Sequence, residues 1–351
     1  MFKKTLFCTL IASSFLLQTA QACTRAVYLG NDNHIITARS MDWKVDVGTN
    51  LWIMPSGQDR DSNAGPKSLK WKSKYGSVIA SGYDLSTTDG MNEAGLVANV
   101  LWLVESQYPD AKKSNKPQLS ISAWAQYVLD NYASVSEAVS ALEKEPFVLI
   151  TDNVPGEQRL TTLHLSLSDK TGDSAIIEYI NGKQVIHHNK KYQVMTNSPI
   201  FDQQLALNTY WQQIGGTVML PGTNRAADRF ARASFYINAI PKNDNPKEAI
   251  ASVFSVIRNA SVPFGLNTAE EPNISSTRWR TVADHKQQLY FFESAVSPNV
   301  FWIDLKKINF KNGKTMKLDL GKDQQNTFAG DATDQFKETK PFQFLGPQLH
   351  H

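Results

Sequence analysis

Through the first hundred residues, apolar positions recur every second residue in short runs broken by turn formers, the pattern of half-buried strands. Arg25–Leu29 and His34–Ala38 are two such runs, and Gly30-Asn31-Asp32-Asn33 between them predicts a hairpin. Further strands are expected at Asn50–Met54, Val78–Gly82 and Gly95–Val104. The period then lengthens. Ser120–Tyr132 carries Ile121, Trp124, Ala125, Val128 and Leu129 at helical spacing, and Ser134-Val135-Ser136-Glu137 has the capping-box form, opening a helix that Pro146 closes. Strands return at Leu160–Leu167, Ser174–Ile180, Gln184–His188 and Tyr192–Thr196. Helices are expected at Asp202–Gln213, Ala226–Ile237 and Pro246–Arg258, and final strands at Gln288–Glu293 and Val300–Leu305. Blocks of strands alternate with helix pairs instead of following a strict strand–helix–strand order. That order predicts an α+β architecture, with antiparallel sheets covered by helices on their outer faces. The 110–118 stretch reads as an exposed loop, and the tail after Leu320 loses its periodicity and is expected to be irregular. With no repeat or long linker, residues 23–351 are expected to form one domain.

The first 22 residues do not fit that pattern. Lys3 and Lys4 precede an apolar run from Leu6 to Leu17, and Ala20-Gln21-Ala22 closes it with the small-x-small triplet after which a signal peptidase cuts. The expectation is an exported protein, periplasmic or secreted, whose mature chain begins at Cys23. Cys8 would be discarded, leaving one cysteine and no intrachain disulfide. A lone thiol in an oxidising compartment needs a use, and catalysis is one. Two other readings stand beside it. Cys23 is also placed for lipid attachment, although Ala20 is a poor residue for that cleavage, and it also suits a small buried hydrophobe near a terminus.

Charge and composition narrow the partners. The full chain has 36 Lys and Arg against 33 Asp and Glu, and loss of Lys3 and Lys4 brings the balance to about +1. No basic stripe stands out, so nucleic acid is not an expected partner. Past residue 22 no apolar stretch is long enough for a membrane span. There is no G-x-S-x-G elbow, P-loop or G-x-G-x-x-G. His187 and His188 would point to opposite faces of a strand, a poor arrangement for one metal, and no metal or organic cofactor is expected. Asp304 and Lys306-Lys307 read as solvated charges.

A nucleophile at a chain terminus needs few parts. Its own α-amine, with a pKa of about 7.7–8.0, is a base near neutral pH. A nearby cation favours thiolate, and fixed donors must meet the oxyanion. Arg39-Ser40-Met41-Asp42-Trp43 follows the second strand of the hairpin, which returns towards Cys23, so Arg39 and Asp42 are within reach of the terminus. Judged alone, the pair also reads as a surface ion pair on a loop.

Several motifs, in order, resemble the choloylglycine hydrolases, the amino-terminal-nucleophile (Ntn) group that includes conjugated bile salt hydrolases and penicillin V acylases. They are Cys23-Thr24-Arg25, Arg39–Trp43, Asp89-Gly90-Met91-Asn92-Glu93-Ala94-Gly95-Leu96, Thr196-Asn197-Ser198-Pro199, Asp228-Arg229-Phe230-Ala231-Arg232 and Thr281-Val282-Ala283-Asp284. The resemblance implies an αββα sandwich and hydrolysis of a small acyl amide through a thioester on Cys23. It implies that Arg39 lies beside the thiol, that Asp42 holds the α-amine and that Asn197 donates to the oxyanion. Arg229 would complete the charge arrangement. Family members are often homotetramers, although residues 198–228 give no clear signal of subunit contacts.

One position departs from the better-known members. Trp102 stands where bile salt hydrolases are expected to carry Asn and many penicillin V acylases Tyr. Indole has one donor and no acceptor, so it cannot replace an amide. Trp43 and Trp102 are expected to wall the substrate pocket, a pair resembling the Gram-negative branch that favours phenoxyacetyl and fatty acyl groups, although either tryptophan alone equally suits ordinary core packing. Penicillin V and N-acyl homoserine lactones therefore lead the expected substrates, with conjugated bile salts behind. The rival from another class is a lipid-anchored envelope protein that binds an acyl ligand without turnover.

Overall fold

The computed structural model describes residues 23–266 and 275–347; the expected signal segment lies outside the described residues. Two large sheets form its centre. The first has seven strands in the spatial order Val194–Met195, Thr24–Leu29, Ile35–Trp43, Ser276–Asp284, Leu289–Ser294, Val300–Asp304 and Gly330–Asp331. Its pairings are antiparallel except the last. The second has nine strands, all paired antiparallel, in the order Lys183–His188, Ser174–Ile180, Leu163–Ser168, Val97–Trp102, Ser86–Asn92, Ser77–Gly82, Leu51–Met54, Met316–Leu318 and Lys337–Glu338.

Helices α1 (Trp124–Asn131) and α2 (Val135–Leu142) pack on the nine-stranded sheet. Helix α3 (Phe201–Ile214) lies on α4 (Ala226–Ala239), and α4 and α5 (Pro246–Asn259) cover the seven-stranded sheet. The architecture is thus α+β, two sheets stacked between helical layers, the expected αββα sandwich. Local sequence accounts for several boundaries. Ser134 accepts a hydrogen bond from the Glu137 amide to start α2, and the Glu137 carboxylate accepts one from the amide of Ala133, the residue before the cap, a near variant of the capping box. Asn245 caps α5 ahead of Pro246 in the first turn.

Two long buried strands of the large sheets have no counterpart among the expected elements: Ser86–Asn92 and Ser276–Asp284. Both are rich in polar residues, which broke the apolar alternation. Those polar groups are used between the sheets. Asp89 accepts from Asn99, Thr281 and Tyr290, the Arg25 guanidinium donates to the Leu167 carbonyl, and Thr37 bonds Ser168. The two sheets therefore meet partly through a buried hydrogen-bonded layer, where each polar group needs a partner.

A second difference concerns Arg39–Trp43. It does not follow the second strand but lies within it, because the strand runs on to Trp43 between two neighbours that satisfy its backbone. The tail after 320 carries only short elements, yet Phe336 and Phe344 are buried.

Candidate active site

Strand register assembles the site. In the hairpin, Thr24 faces Ser40 and Arg25 faces Arg39, which brings Cys23 beside Met41 and Asp42. On the other side Met195 faces Arg25, so Asn197, two residues on, comes level with Cys23. The register of the unexpected central strand sets Thr277 opposite Asp42. Helix α4, packed across the first strand, delivers Arg229 from outside the sheet.

The resulting contacts are dense. The Cys23 main-chain nitrogen donates to Asn197 Oδ1 at 2.6 Å, and Arg229 Nη2 donates to the same oxygen at 2.9 Å. Arg229 Nη1 donates to the Cys23 carbonyl at 2.7 Å and to Thr24 Oγ1 at 2.6 Å. Asn197 Nδ2 in turn donates to the Trp102 carbonyl at 2.7 Å. The Cys23 sulfur lies 3.5 Å from the Asp42 nitrogen and 3.7 Å from the Asp42 carbonyl. The Asp42 carboxylate accepts from Thr277 at 2.5 Å and Ser40 at 3.2 Å. Arg39 Nη2 donates to the Val100 carbonyl at 3.0 Å, Nη1 is 4.0 Å from Asp89, and the guanidinium stacks 4.6 Å from the Trp279 ring centroid. Arg39 and Asp42 are therefore a buried cluster and not a surface pair.

Burial dominates the electrostatics. It pushes the Cys23 thiol up, while Arg39 pulls the other way. It raises the Asp42 carboxyl to about 6, with Arg229 and the Thr277 hydrogen bond opposing. It also lowers Arg229, against the favourable charge of Asp42. The site can thus hold a thiol, a main-chain nitrogen, two guanidinium groups and a carboxylate in one dry cluster, with the Asn197 amide aligned by its partners.

The cluster opens onto a cavity of about 110 Å³ lined by Cys23, Trp43, Tyr83, Leu85, Trp102 and Leu163, among others. Trp43 and Trp102 pack with ring centroids 5.3 Å apart at an interplanar angle of 47°. The Arg159 guanidinium stacks over the Trp102 ring, 4.4 Å from its centroid. All seven residues singled out from the sequence thus meet here: Cys23, Arg39, Asp42, Trp43, Trp102, Asn197 and Arg229. The sequence reading missed Ser40 and Thr277, the supports of Asp42, and gave no role to Asp89, the counter-charge of Arg39. The Thr277 signal was the register of a strand that showed no apolar alternation. His187 and His188 do point apart, His187 to Glu178 and His188 to Asp173. Among the described residues no group of His, Cys, Asp and Glu is arranged to hold a metal ion, and no helix is long and apolar enough to cross a membrane.

Comparison with known proteins agrees with this geometry. The family described as linear amide C–N hydrolases, choloylglycine hydrolase family, matches residues 23–319. A penicillin V acylase of Pectobacterium atrosepticum is 59% identical over 360 residues, covering 96% of each chain. The solved structure of penicillin V acylase from Agrobacterium tumefaciens is 68% identical with a TM-score of 0.87, covering 92% of this chain and 100% of that one. More distantly, a bile salt hydrolase/transferase of Clostridium perfringens is 27% identical over 332 residues, covering 84% of this chain and 98% of that protein.

Proposed function

This chain belongs to the choloylglycine hydrolase family and hydrolyses linear amide C–N bonds, and on that premise we propose that it is an exported penicillin V acylase-like enzyme whose nucleophile is Cys23. Removal of residues 1–22 gives Cys23 a free α-amine. That amine takes the Sγ proton, and the thiolate attacks the acyl carbonyl carbon. Negative charge then develops on the former carbonyl oxygen. Asn197 Nδ2 has one N–H held by the Trp102 carbonyl, and its second is the donor for that oxyanion. Collapse breaks the C–N bond, and the α-ammonium returns its proton to the leaving amine. Water, deprotonated by the same amine, attacks the thioester and releases the carboxylic acid. Asp42 and Arg39 balance the charges that appear, and Arg229 fixes the carbonyl of Cys23 and the amide of Asn197.

The observation that carries this reading is the placement of the Cys23 sulfur, at the first residue of the family match, on an apolar cavity walled by two tryptophans. Such a wall suits a flat ring or an alkyl chain, which favours phenoxyacetyl amides and N-acyl homoserine lactones over a four-ring steroid conjugate. We further propose a homotetramer. Leu207, Tyr210, Val218 and Met219 expose apolar surface on α3 and the turn after it, consistent with subunit contact there.

The test is to purify the exported protein, weigh it intact and incubate it with penicillin V, a long-chain acyl homoserine lactone and glycocholate. A mass starting at unmodified Cys23, with cleavage of the first two, is expected, and Cys23→Ser should abolish turnover while leaving the fold intact. A diacylglycerol-sized mass increment without cleavage, or full turnover in Cys23→Ser, overturns the proposal. Light scattering reads the tetramer.

A further inference from the structure

Chain ends fray unless something ties them down, and residues 342–346 are tied down heavily. The Leu345 amide donates to the Leu85 carbonyl at 2.8 Å, and the Leu345 carbonyl accepts from both Ser120, at 2.5 Å, and Ser122, at 2.7 Å. Asn63 Nδ2 donates to the Phe344 carbonyl at 2.8 Å. Phe342 packs edge-on to Trp52 with centroids 5.1 Å apart, and Phe344 is buried beside Trp71. Gly346 passes so close to Asn63 that a Cβ would sit 2.0 Å from its carbonyl oxygen, so only glycine fits there. This strap lies beyond residue 319, where the family match ends.

It also inserts the half-buried Leu345 side chain into the cavity that holds Cys23. The cavity joins two hydrophobic clusters. Cys23, Trp43 and Trp102 belong to the cluster between the sheets; Ile121, which also lines the cavity, belongs to the cluster beneath α1 and α2. The tethers of Leu345 at Ser120 and Ser122 flank Ile121 of that second cluster, and none of its three tethers, Leu85 included, is a residue of the Cys23 cluster. Leu345 is therefore a wall of the cavity and not a support of the reacting groups.

We propose that Leu345 is a specificity-determining residue, the strap closing the acyl cavity so that short or ring-bearing acyl groups are taken in preference to long alkyl chains. The inference rests on the acylase reading above. In an apolar pocket, a change of about one methylene alters discrimination about 10- to 200-fold. Leu345→Ala should therefore raise kcat/KM for a decanoyl amide relative to a phenoxyacetyl amide of the same amine by about tenfold or more, and Leu345→Trp should shift the ratio the other way. The Ser120→Ala/Ser122→Ala double variant, which frees the Leu345 carbonyl, should move the ratio in the direction of Leu345→Ala. A parent enzyme that cleaves both amides, with a ratio within about twofold of the parent in a folded Leu345→Ala protein, overturns the role of the strap alone. A parent that cleaves neither overturns the acylase reading and this inference with it. Leu345→Ala is decisive even where Leu345→Trp fails to fold, because the tethers of the strap are backbone groups at this residue and remain in place.

Discussion

Asn197→Asp replaces one atom at the most heavily shared side chain of the site. Asn197 Oδ1 takes two donors, the Cys23 nitrogen at 2.6 Å and Arg229 Nη2 at 2.9 Å, so that atom must be the oxygen and the nitrogen must face the Trp102 carbonyl. Aspartate keeps the acceptor and strengthens its pairing with Arg229, which protects the fold. It loses both N–H groups, however, and sets an oxygen 2.7 Å from the Trp102 carbonyl, where there was a donor. Loss of one oxyanion donor costs about 2.7–4 kcal/mol of transition-state stabilisation, roughly 10²- to 10³-fold in kcat. The added negative charge beside the nascent thiolate works in the same direction. Asn197→Ala should lose a similar factor in kcat but also destabilise the protein by about 2–4 kcal/mol, since two buried donors and one acceptor lose this partner. The assay is single-turnover acylation with penicillin V, paired with urea denaturation of both variants. If Asn197→Asp acylates within about tenfold of the parent, the side-chain amide is not the oxyanion donor and the assignment fails.

Three further outcomes are expected. Buried His285 donates from Nδ1 to the Gly95 carbonyl, its neutral ring accepts at Nε2 from the Thr37 hydroxyl, and burial lowers its pKa from 6.5 to about 4. Its neutral form stabilises the fold fully above about pH 6.5, by about 3 kcal/mol, and that stability drains as pH falls towards 4, so His285→Gln should flatten the urea midpoint between pH 6.5 and 4. Glu178 is buried, which raises its carboxyl, but hydrogen bonds from His164 and His187 outweigh that and hold it at about 2; it also accepts the first amide of α3 at Phe201. Its contribution is present above about pH 4.5 and lost towards pH 2, so Glu178→Gln should cost about 2–3 kcal/mol at pH 7, and an unchanged urea midpoint there would contradict it. Thr277→Val removes a hydrogen bond that favours ionised Asp42, whose carboxyl stands at about 6; the acid limb of kcat/KM should move to higher pH, and an unmoved limb would mean Asp42 is not the group titrating.

The helices, most strands and the set of residues that gathers around Cys23 were legible because each leaves a local trace: a capping box, an apolar period, an ordered set of short motifs. What escaped has a common cause. Ser86–Asn92 and Ser276–Asp284 are interior strands whose side chains serve the hydrogen-bonded layer between the sheets, so a pattern that equates inside with apolar passes over them. Thr277 went unseen with its strand, and Arg39–Trp43 looked like a loop for the same reason. Leu345 left no trace at all. Its role depends on where Ser120, Ser122 and Leu85 have been carried by the fold, and no spacing along the chain encodes that.

The polarity of that layer has its own logic. Two guanidinium groups, Arg39 and Arg229, face two carboxyls, Asp89 and Asp42, and all four are buried. With both carboxylates ionised the cluster is neutral overall, which is how such groups are tolerated away from water. Burial nonetheless holds Asp42 at about 6 instead of 3.8, so keeping it ionised at pH 7 costs the folded state about 3 kcal/mol relative to an exposed carboxylate. A thiol placed here is raised for the same reason. Moving its proton to an α-amine on the same residue changes no net charge: the thiolate–ammonium pair forms inside a cluster that is already balanced. A separate general base reached through solvent would leave the thiolate uncompensated. On the proposed mechanism, the buried charges around Cys23 therefore favour the one base that travels with the thiol, the α-amine that cleavage before Cys23 would supply.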